Sequence, residues 1–210
     1  MYTIDYWDDA VAALGARDGI LAALMERHRG ERLSGSGDAF TTLANSIVGQ
    51  QISVAAGAGI WGRLAGMFPQ VQPVDIAQAD VAALRACGLS GRKAEYLQGI
   101  ARAFIEEDYS SQSFDTLGDD DVRERLCSLR GVGPWTAEMF LIFHLHRPDV
   151  LPLGDIGLHR AARRLYGWPD GETLAETRMR LVKAGEAWRP WRTVAVWYLW
   201  RDLDAEPVVY

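Results

Sequence analysis

The sequence predicts an all-α protein. Nearly every segment shows the 3.6-residue period of an amphipathic helix, and none alternates between apolar and polar residues as a half-buried strand does. Residues that favour helix N-caps, such as Asp18, Asp38 and Ser53, stand directly before several of these segments. The chain has 210 residues, of which 49% are hydrophobic, enough for one large domain or two small ones. We therefore expect about ten helices and no internal repeat.

Turn residues separate the helices of the first half. Gly30 follows the first predicted helix, Phe68-Pro69 ends another, and Gly88 ends a third. Small residues that begin at Ala55 suggest close approach to a neighbouring helix or to a ligand. In order, the predicted segments are a helix over 18–28, a Gly/Ser-rich connection over 34–37, helices over 39–48, 53–68, 75–86 and 90–107, and a polar linker over 109–118.

The second half is arranged around a hairpin. The run Leu129-Arg-Gly-Val-Gly133 lies between two amphipathic segments, and Pro134 suits the first turn of a new helix. A tight turn beside a helix N-terminus exposes backbone N–H groups, which attract phosphate. A plain helical connection is the alternative. The other predicted segments are helices over 121–128, 136–145, 156–166, 173–187 and 192–203, an irregular approach over 149–155 and a turn over 168–171.

Charge and composition restrict the class of protein. The net charge of −6 argues against nucleic-acid binding, which relies on Lys and Arg. However, residues 160–164 hold three arginines and no acid, and Arg189 and Arg192 flank Trp191. We therefore expect one basic face that binds DNA with marked salt sensitivity.

The same features bear on compartment. No apolar run is long enough to span a membrane, and the N-terminus is acidic and aromatic, unlike a secretory signal. Two cysteines lie within helical patterns, Cys87 and Cys127. We expect both to be buried, reduced thiols in a cytoplasmic protein, associated with the nucleoid if the source is prokaryotic.

Three polar side chains outside the hairpin are candidates for a site. Gln50 and Gln51 lie at a helix–helix turn. They are either simply solvated or suited to read base edges or fill a gap in a duplex, since an amide both donates and accepts hydrogen bonds. Asp155 stands at the start of a helix, where an N-cap is the plain interpretation. It lies 20 residues after Trp135, one helix and one loop beyond the hairpin.

Four stretches together resemble the helix–hairpin–helix–GPD superfamily of DNA glycosylases, and within it the DNA-3-methyladenine glycosylase II group. They are Ile47-Val-Gly-Gln-Gln-Ile-Ser53, residues 129–137, residues 151–158, and Trp188-Arg-Pro-Trp-Arg192 with the helix to Trp200. Asp155 matches the family's Asp, although Leu-Gly-Asp replaces the literal Gly-Pro-Asp. The resemblance extends over residues 40–203, which is most of the chain.

The resemblance implies two helical subdomains that flank a cleft, within a single glycosylase domain over residues 1–210. We expect residues 38–110 to form the subdomain with the Gln50/Gln51 turn. Residues 119–203 would form the subdomain of the hairpin and Asp155, together with the N-terminal segment 1–37. Larger members of the group have an N-terminal α/β subdomain, which a helical segment 1–37 cannot form. A compact version with reduced DNA affinity is therefore expected.

The resemblance also implies a role for each site residue. Asp155 would be the catalytic residue, stabilising an oxocarbenium-like sugar and orienting the attacking water. Gln51 would fill the gap left by the flipped base. The base pocket would be lined by Gln50, Trp135, Met139 and Trp200, with the flexible Met139 widening it. The phosphate-binding residues of the hairpin would be Leu129, Gly131, Val132, Gly133 and Thr136.

The implied activity is that of a monofunctional DNA glycosylase. Bifunctional members carry a Lys just after the hairpin that forms a Schiff base with the sugar, and that position is Trp135 here, which has no nucleophile. Indole faces attract cationic purines of the 3-methyladenine and 7-methylguanine type. We expect such bases to be flipped out of duplex DNA and hydrolysed from the sugar, which initiates base excision repair. A glycosylase for oxidised or deaminated bases and a non-catalytic DNA-binding module stay open as alternatives.

Cofactors and partners complete the expectations. Two cysteines cannot supply the four ligands of an iron–sulfur cluster, and the spacing of His144, His146 and His159 matches no known metal site. We expect no cofactor and no catalytic metal, with room only for a monovalent cation on the hairpin carbonyls when DNA is bound. The expected partner is double-stranded DNA with a damaged base, bound by a monomer and away from any membrane.

Overall fold

The structure of the chain is a computed structural model that describes residues 4–34, 38–107 and 109–203. These residues form thirteen α-helices and no strand, so the prediction of an all-α fold is confirmed. No helix among them is long and apolar enough to span a bilayer. In chain order they are α1 (Trp7–Arg17), α2 (Gly19–Arg27), α3 (Ala39–Gly49), α4 (Val54–Met67), α5 (Pro73–Gln78), α6 (Val81–Ala86), α7 (Gly91–Glu106), α8 (Ser111–Asp115), α9 (Asp119–Cys127), α10 (Pro134–Phe143), α11 (Ile156–Tyr166), α12 (Leu174–Trp188) and α13 (Arg192–Arg201).

The described residues divide into two compact units. The first comprises residues 4–34 and 146–203, and the second comprises 38–107 and 109–145. This boundary differs from the expected one, because the hairpin belongs to the same unit as Gln50 and Gln51 rather than to the unit of Asp155. The reason is packing: α10 lies against α3 and α9.

In the first unit, α13 forms the centre of the core. It packs against α1, α2, α11 and α12, and every residue over 193–199 is buried. A helix that is apolar on all sides is typical of such a position. Asp18 joins the surrounding helices: one carboxylate oxygen caps α2, and the other accepts hydrogen bonds from Tyr166 Oη at 2.5 Å and Trp188 Nε1 at 3.2 Å.

In the second unit, α3 has the central place. It packs against α4, α7 and α10, and eight of its eleven residues are buried. Both ends of α3 are defined by side chains, since Asp38 accepts a hydrogen bond from Thr41 N at 2.7 Å and Lys93 binds its C-terminal carbonyls. The N-caps predicted at Asp18, Asp38, Ser53 and Asp155 are all confirmed.

Several local expectations were wrong. The helix predicted over 75–86 is two helices, because Ala79 is extended and Asp80 caps α6 through Ala82 N. The polar linker over 109–118 contains α8, whose Phe114 is fully buried and packs on Phe140. Cys87 is buried as expected, but Cys127 is exposed at the end of α9. The connection expected over 34–37 lies, except for Ser34, outside the described residues.

Candidate functional site

The hairpin lies between α9 and α10 in the second unit. Its turn is closed by a hydrogen bond from Val132 N to Leu129 O at 3.0 Å, and Gly131 has a φ of 96°, which favours glycine. A side chain at Gly131 would collide with the ring of Tyr96, which packs directly on this glycine. Val132 is buried, so this residue could contribute to a phosphate site only through its backbone.

The N-terminus of α10 has no side-chain cap. Its N-cap is Gly133, Pro134 follows at the first helical position, and the first helical hydrogen bond runs from Ala137 N to Gly133 O at 3.0 Å. The amides that precede this bond, together with the positive end of the helix dipole, form an environment that suits an anion. The Thr136 hydroxyl accepts a hydrogen bond from Gln50 Nε2 and the residue is 1% exposed, so its binding to phosphate stays a prediction.

Gln50 links the end of α3 to this hairpin. Its Nε2 donates hydrogen bonds to Gly131 O at 3.0 Å and to Thr136 Oγ1 at 2.9 Å. Both partners are residues that we expected to bind phosphate. Because both amide protons of Gln50 are engaged, the structure gives this residue a role in positioning the hairpin, and its place in the base pocket stays a prediction.

Gln51 is exposed at the turn between α3 and α4. Its φ is 58°, in the left-handed region that non-glycine residues rarely adopt. Residues held in such conformations are concentrated at ligand-binding sites, where the surrounding structure compensates for the strain. The structure therefore places Gln51 at the exposed tip of a strained turn, and its gap-filling role stays a prediction.

Asp155 is the N-cap of α11 in the first unit and is half-buried. Its Oδ1 accepts hydrogen bonds from Leu158 N at 2.6 Å and from Trp200 Nε1 at 3.0 Å. In the sequence, only the family resemblance suggested that Trp200 lies near the site. In the structure, the indole N–H of Trp200 donates a hydrogen bond to the Asp155 carboxylate. Two donors on one oxygen fix the orientation of the carboxylate.

The loop before Asp155 is held by two further contacts. His159, one turn into α11, is buried and donates from Nε2 to Leu153 O at 2.9 Å. Leu151 packs on Gly185 of α12, where an added Cβ would approach Leu151 Cδ2 to 2.6 Å. These contacts explain how an irregular loop with Pro152 and Gly154 presents Asp155 in one defined position.

The remaining pocket candidates differ in exposure. Trp135 is half-buried at the start of α10, and Trp200 is half-buried on α13. Met139 belongs to the core, with 1% of its surface exposed. The role of Met139 in pocket width therefore stays a prediction. Because the side chain is buried, it would have to act by changing the positions of the residues packed against it.

The arginines expected to form one basic face are largely engaged within the first unit. Arg163 donates to Thr177 Oγ1 and Arg164 to the Asp202 carboxylate. Arg189 and Arg192 both bind Asp149. Opposite charges close in space neutralise each other, so Arg164, Arg189 and Arg192 cannot supply the full positive field that their number suggested, whereas Arg163 keeps its charge but is held by neutral partners. Arg160 is exposed on α11.

The histidines hold separate positions. His144 is buried beside Phe140, His159 binds the Leu153 carbonyl, and burial lowers the pKa of His146. No group of three or more His, Cys, Asp or Glu side chains in the described part of the chain could hold a metal ion.

Three residues with clear positions around the site were not identified as such from the sequence: Lys93, Tyr96 and His159. Lys93 Nζ donates to Val48 O and Gln50 O, each at 2.7 Å. Lys93 and Tyr96 are three residues apart on one face of α7, and this spacing is the one local signal that they act on a common neighbour.

The chain is similar to known DNA repair proteins. A family model described as HhH-GPD superfamily base excision DNA repair protein matches residues 44–187. Over 187 residues the chain is 33% identical to DNA-3-methyladenine glycosylase 1 of Schizosaccharomyces pombe, covering 86% of this chain and 79% of that protein. Over 202 residues it is 30% identical to DNA-3-methyladenine glycosylase 2 of Escherichia coli, covering 90% of this chain and 67% of that protein.

A solved structure matches the fold as well. The Schizosaccharomyces pombe 3-methyladenine DNA glycosylase Mag1, in complex with abasic DNA, aligns with a TM-score of 0.82 at 30% identity. The alignment covers 92% of this chain and 95% of that one. The chain belongs to the HhH-GPD superfamily of base excision DNA repair proteins.

Proposed function

We propose that this chain is a monofunctional DNA glycosylase that flips alkylated bases, of the 3-methyladenine and 7-methylguanine type, out of duplex DNA and hydrolyses their N-glycosidic bond. The product, an abasic site, initiates base excision repair. Family membership and relatives named as DNA-3-methyladenine glycosylases support this function. The single observation on which it rests is the half-buried Asp155 carboxylate, whose position is fixed by the Leu158 amide and the Trp200 indole.

The chemistry needs little acid catalysis. Alkylation at N3 or N7 makes a purine cationic, so the base is a good leaving group, and departure leaves positive charge on the sugar. A carboxylate held in place before the reaction stabilises that charge without reorganisation. Trp135 and Trp200 would offer indole faces to the cationic base, an attraction of roughly 0.5–2 kcal/mol.

The second unit would hold the DNA. Amides at the hairpin and at the N-terminus of α10 would bind a backbone phosphate, which sets register without reading sequence. Gln51 would enter the stack that the flipped nucleotide leaves. Its amide gains hydrogen bonds to the orphaned base and loses the stacking of an apolar residue. Trp135 provides no amine for a Schiff base, so the strand stays intact after base release.

We further propose that the protein needs no resident cofactor, acts as a monomer, and works in the compartment that holds the DNA: the cytoplasm, and the nucleoid in a prokaryote.

A monovalent cation on the hairpin is compatible with the residues present. The carbonyl oxygens of Leu129 and Gly131 each accept one hydrogen bond, from Val132 N and Gln50 Nε2. Each keeps a second lone pair that could bind a cation when DNA is present.

The decisive experiment is Asp155→Asn. Asparagine is an equally good N-cap and keeps an oxygen for both donors, so the substitution removes the charge while preserving the hydrogen bonds. We expect release of 3-methyladenine and 7-methylguanine from methylated duplex to fall by ~10²–10³. Affinity for an abasic-site duplex should stay within about threefold, because the hairpin is untouched.

Asp38→Asn is the matched control, since Asp38 also caps a helix through one short hydrogen bond, at 2.7 Å, but lies in the second unit. It should keep wild-type rates. Unchanged base release by Asp155→Asn would contradict the mechanism. Release of 8-oxoguanine or uracil in preference to methylated purines would favour the alternative substrates. Binding without release of any base would favour the non-catalytic module.

A further inference from the structure

The turn that presents Gln51 has weak hydrogen bonds of its own. Gln50 N reaches Ile47 O at 3.4 Å, and Ile52 N reaches Gly49 O at 3.5 Å. Both lengths exceed the range in which backbone hydrogen bonds are strong. Gln51, between these two bonds, has the left-handed φ of 58°. Such a conformation is strained in a non-glycine residue, so something else must stabilise it.

Lys93 provides that stabilisation. Its ammonium group donates to Val48 O and to Gln50 O, each at 2.7 Å, and these bonds are the shortest at the turn. Val48 O is among the last carbonyls of α3, which have no helical partner, whereas Gln50 O lies beyond the helix end. A simple C-terminal cap would need only the first contact. The second one fixes the peptide that leads into Gln51.

The same turn is joined to the hairpin. The Gln50 carbonyl binds Lys93, and the Gln50 side chain binds Gly131 O and Thr136 Oγ1. Tyr96, one turn after Lys93 on α7, packs on Gly131. One face of α7 therefore contacts both the turn that carries Gln51 and the hairpin. Burial lowers the pKa of Lys93, which agrees with an ammonium group partly withdrawn from water.

We propose that Lys93 is a positioning residue for base flipping: by bridging the Val48 and Gln50 carbonyls, it holds Gln51 ready to enter the DNA stack in fixed register with the phosphate-binding hairpin. This inference deepens the proposed function and rests on it. Lys93 acts through Gln51 and is not itself in contact with the reacting atoms. Its effect should therefore depend on the presence of the Gln51 side chain.

A double-mutant cycle in the full chain tests this dependence. Lys93→Met would be introduced into the wild type and into Gln51→Ala. The first readout is the fluorescence of 2-aminopurine placed beside a methylated base, which rises when the neighbouring base leaves the stack. The second is the single-turnover rate of base release. The exposed neighbour Arg92, changed to Met, is the matched control and should behave like the wild type.

We expect Lys93→Met to reduce the fluorescence rise and the rate by about tenfold in the wild type, and by less than twofold in Gln51→Ala. Equal losses in both backgrounds would overturn the proposal, since they would indicate a general structural effect, and so would no loss at all. If Lys93→Met does not fold, Lys93→Gln, which can still donate to one carbonyl, replaces it in the same cycle. A wild type that releases no methylated base would instead refute the proposed function.

Discussion

At the scale of single residues, the site depends on what surrounds Asp155 as much as on Asp155 itself. Its Oδ1 accepts both the Leu158 amide and the Trp200 indole. Gly157, two residues later, leaves the space in which this arrangement fits. A Cβ there would lie 3.1 Å from Asp155 Oδ1 and 3.8 Å from Trp200 Cδ1. The absence of a side chain at Gly157 is thus part of the geometry of the carboxylate.

Gly157→Ala should therefore affect the reaction more than the fold. The added methyl group displaces the carboxylate or the indole by a few tenths of an ångström, and we expect base release to slow by about tenfold. Thermal stability should hold or rise slightly, because alanine favours a helix interior over glycine by roughly 0.5–1 kcal/mol. Single-turnover rates and melting curves of the variant check both statements.

Gly154→Ala is the natural control, since a Cβ at Gly154 would meet nothing within 4 Å. Gly154 lies in the loop directly before α11, three residues from Gly157, and its substitution adds the same methyl group. If both variants slow the reaction equally, a general effect on the backbone around Asp155, rather than contact with its carboxylate, is responsible. If neither does, the position of the carboxylate is less critical than the structure implies.

At the scale of elements, the hairpin is a unit built from three segments that are distant in sequence. Gly131 gives the turn its positive φ, Tyr96 of α7 packs on it, and Gln50 at the end of α3 binds its carbonyl. The geometry of this turn is therefore set by α3, α7 and the α9–α10 connection together. The glycine and the proline allow this turn locally, and the contacts from Gln50 and Tyr96 hold it in place.

Gly131→Ala should disturb this element. Alanine at φ 96° is strained by about 1–2 kcal/mol, and its Cβ collides with the Tyr96 ring, which adds about 1–3 kcal/mol. We expect a lower melting temperature and weaker binding of abasic-site duplex, measured by anisotropy below the melting transition. In Gly133→Ala, where φ is −109° and a Cβ would meet nothing within 4 Å, stability should change by less than about 1 kcal/mol. Equal destabilisation of the two variants would contradict this account.

At the scale of the whole molecule, the distribution of charge determines how strongly the affinity for DNA depends on salt. The net charge is −6, and Arg163, Arg164, Arg189 and Arg192 are engaged within the first unit. Neutral backbone amides release no counterions when they bind phosphate. If the hairpin binds phosphate as proposed, we expect few cations to contribute, and affinity to depend on the hairpin and on the flipped base more than on a general positive field.

The salt dependence of binding tests this view. Each phosphate neutralised by Lys or Arg contributes about −0.9 to the slope of log K against log salt concentration. We expect a slope no steeper than about −4 for an abasic-site duplex between 50 and 300 mM salt, about four contacts or fewer. Fluorescence anisotropy titrations at several salt concentrations measure it. A slope near −8 would mean that arginines now in internal ion pairs leave their carboxylate partners and bind DNA phosphates instead.

The sequence by itself determined the features that depend on neighbours a few residues away. Asp18, Asp38, Ser53 and Asp155 cap helices because a side chain three residues or fewer from an amide reaches it whatever the rest of the chain does. The glycine turn and the proline that starts α10 are equally local. These features carried the all-α class and the family resemblance. Local signals gave the wrong prediction where a contact with the core decided the structure. The segment around Phe114 has a polar sequence, but it forms α8 because Phe114 is buried.

Only the tertiary structure decided which of the many polar side chains meet. Lys93 reaches carbonyls 43 and 45 residues away, Gln50 reaches Gly131 across 81 residues, and Trp200 reaches Asp155 across 45. No periodicity encodes such pairs, because they depend on how buried helix faces pack. Local spacing predicted the candidate residues, whereas packing between distant helices determined which groups contact them.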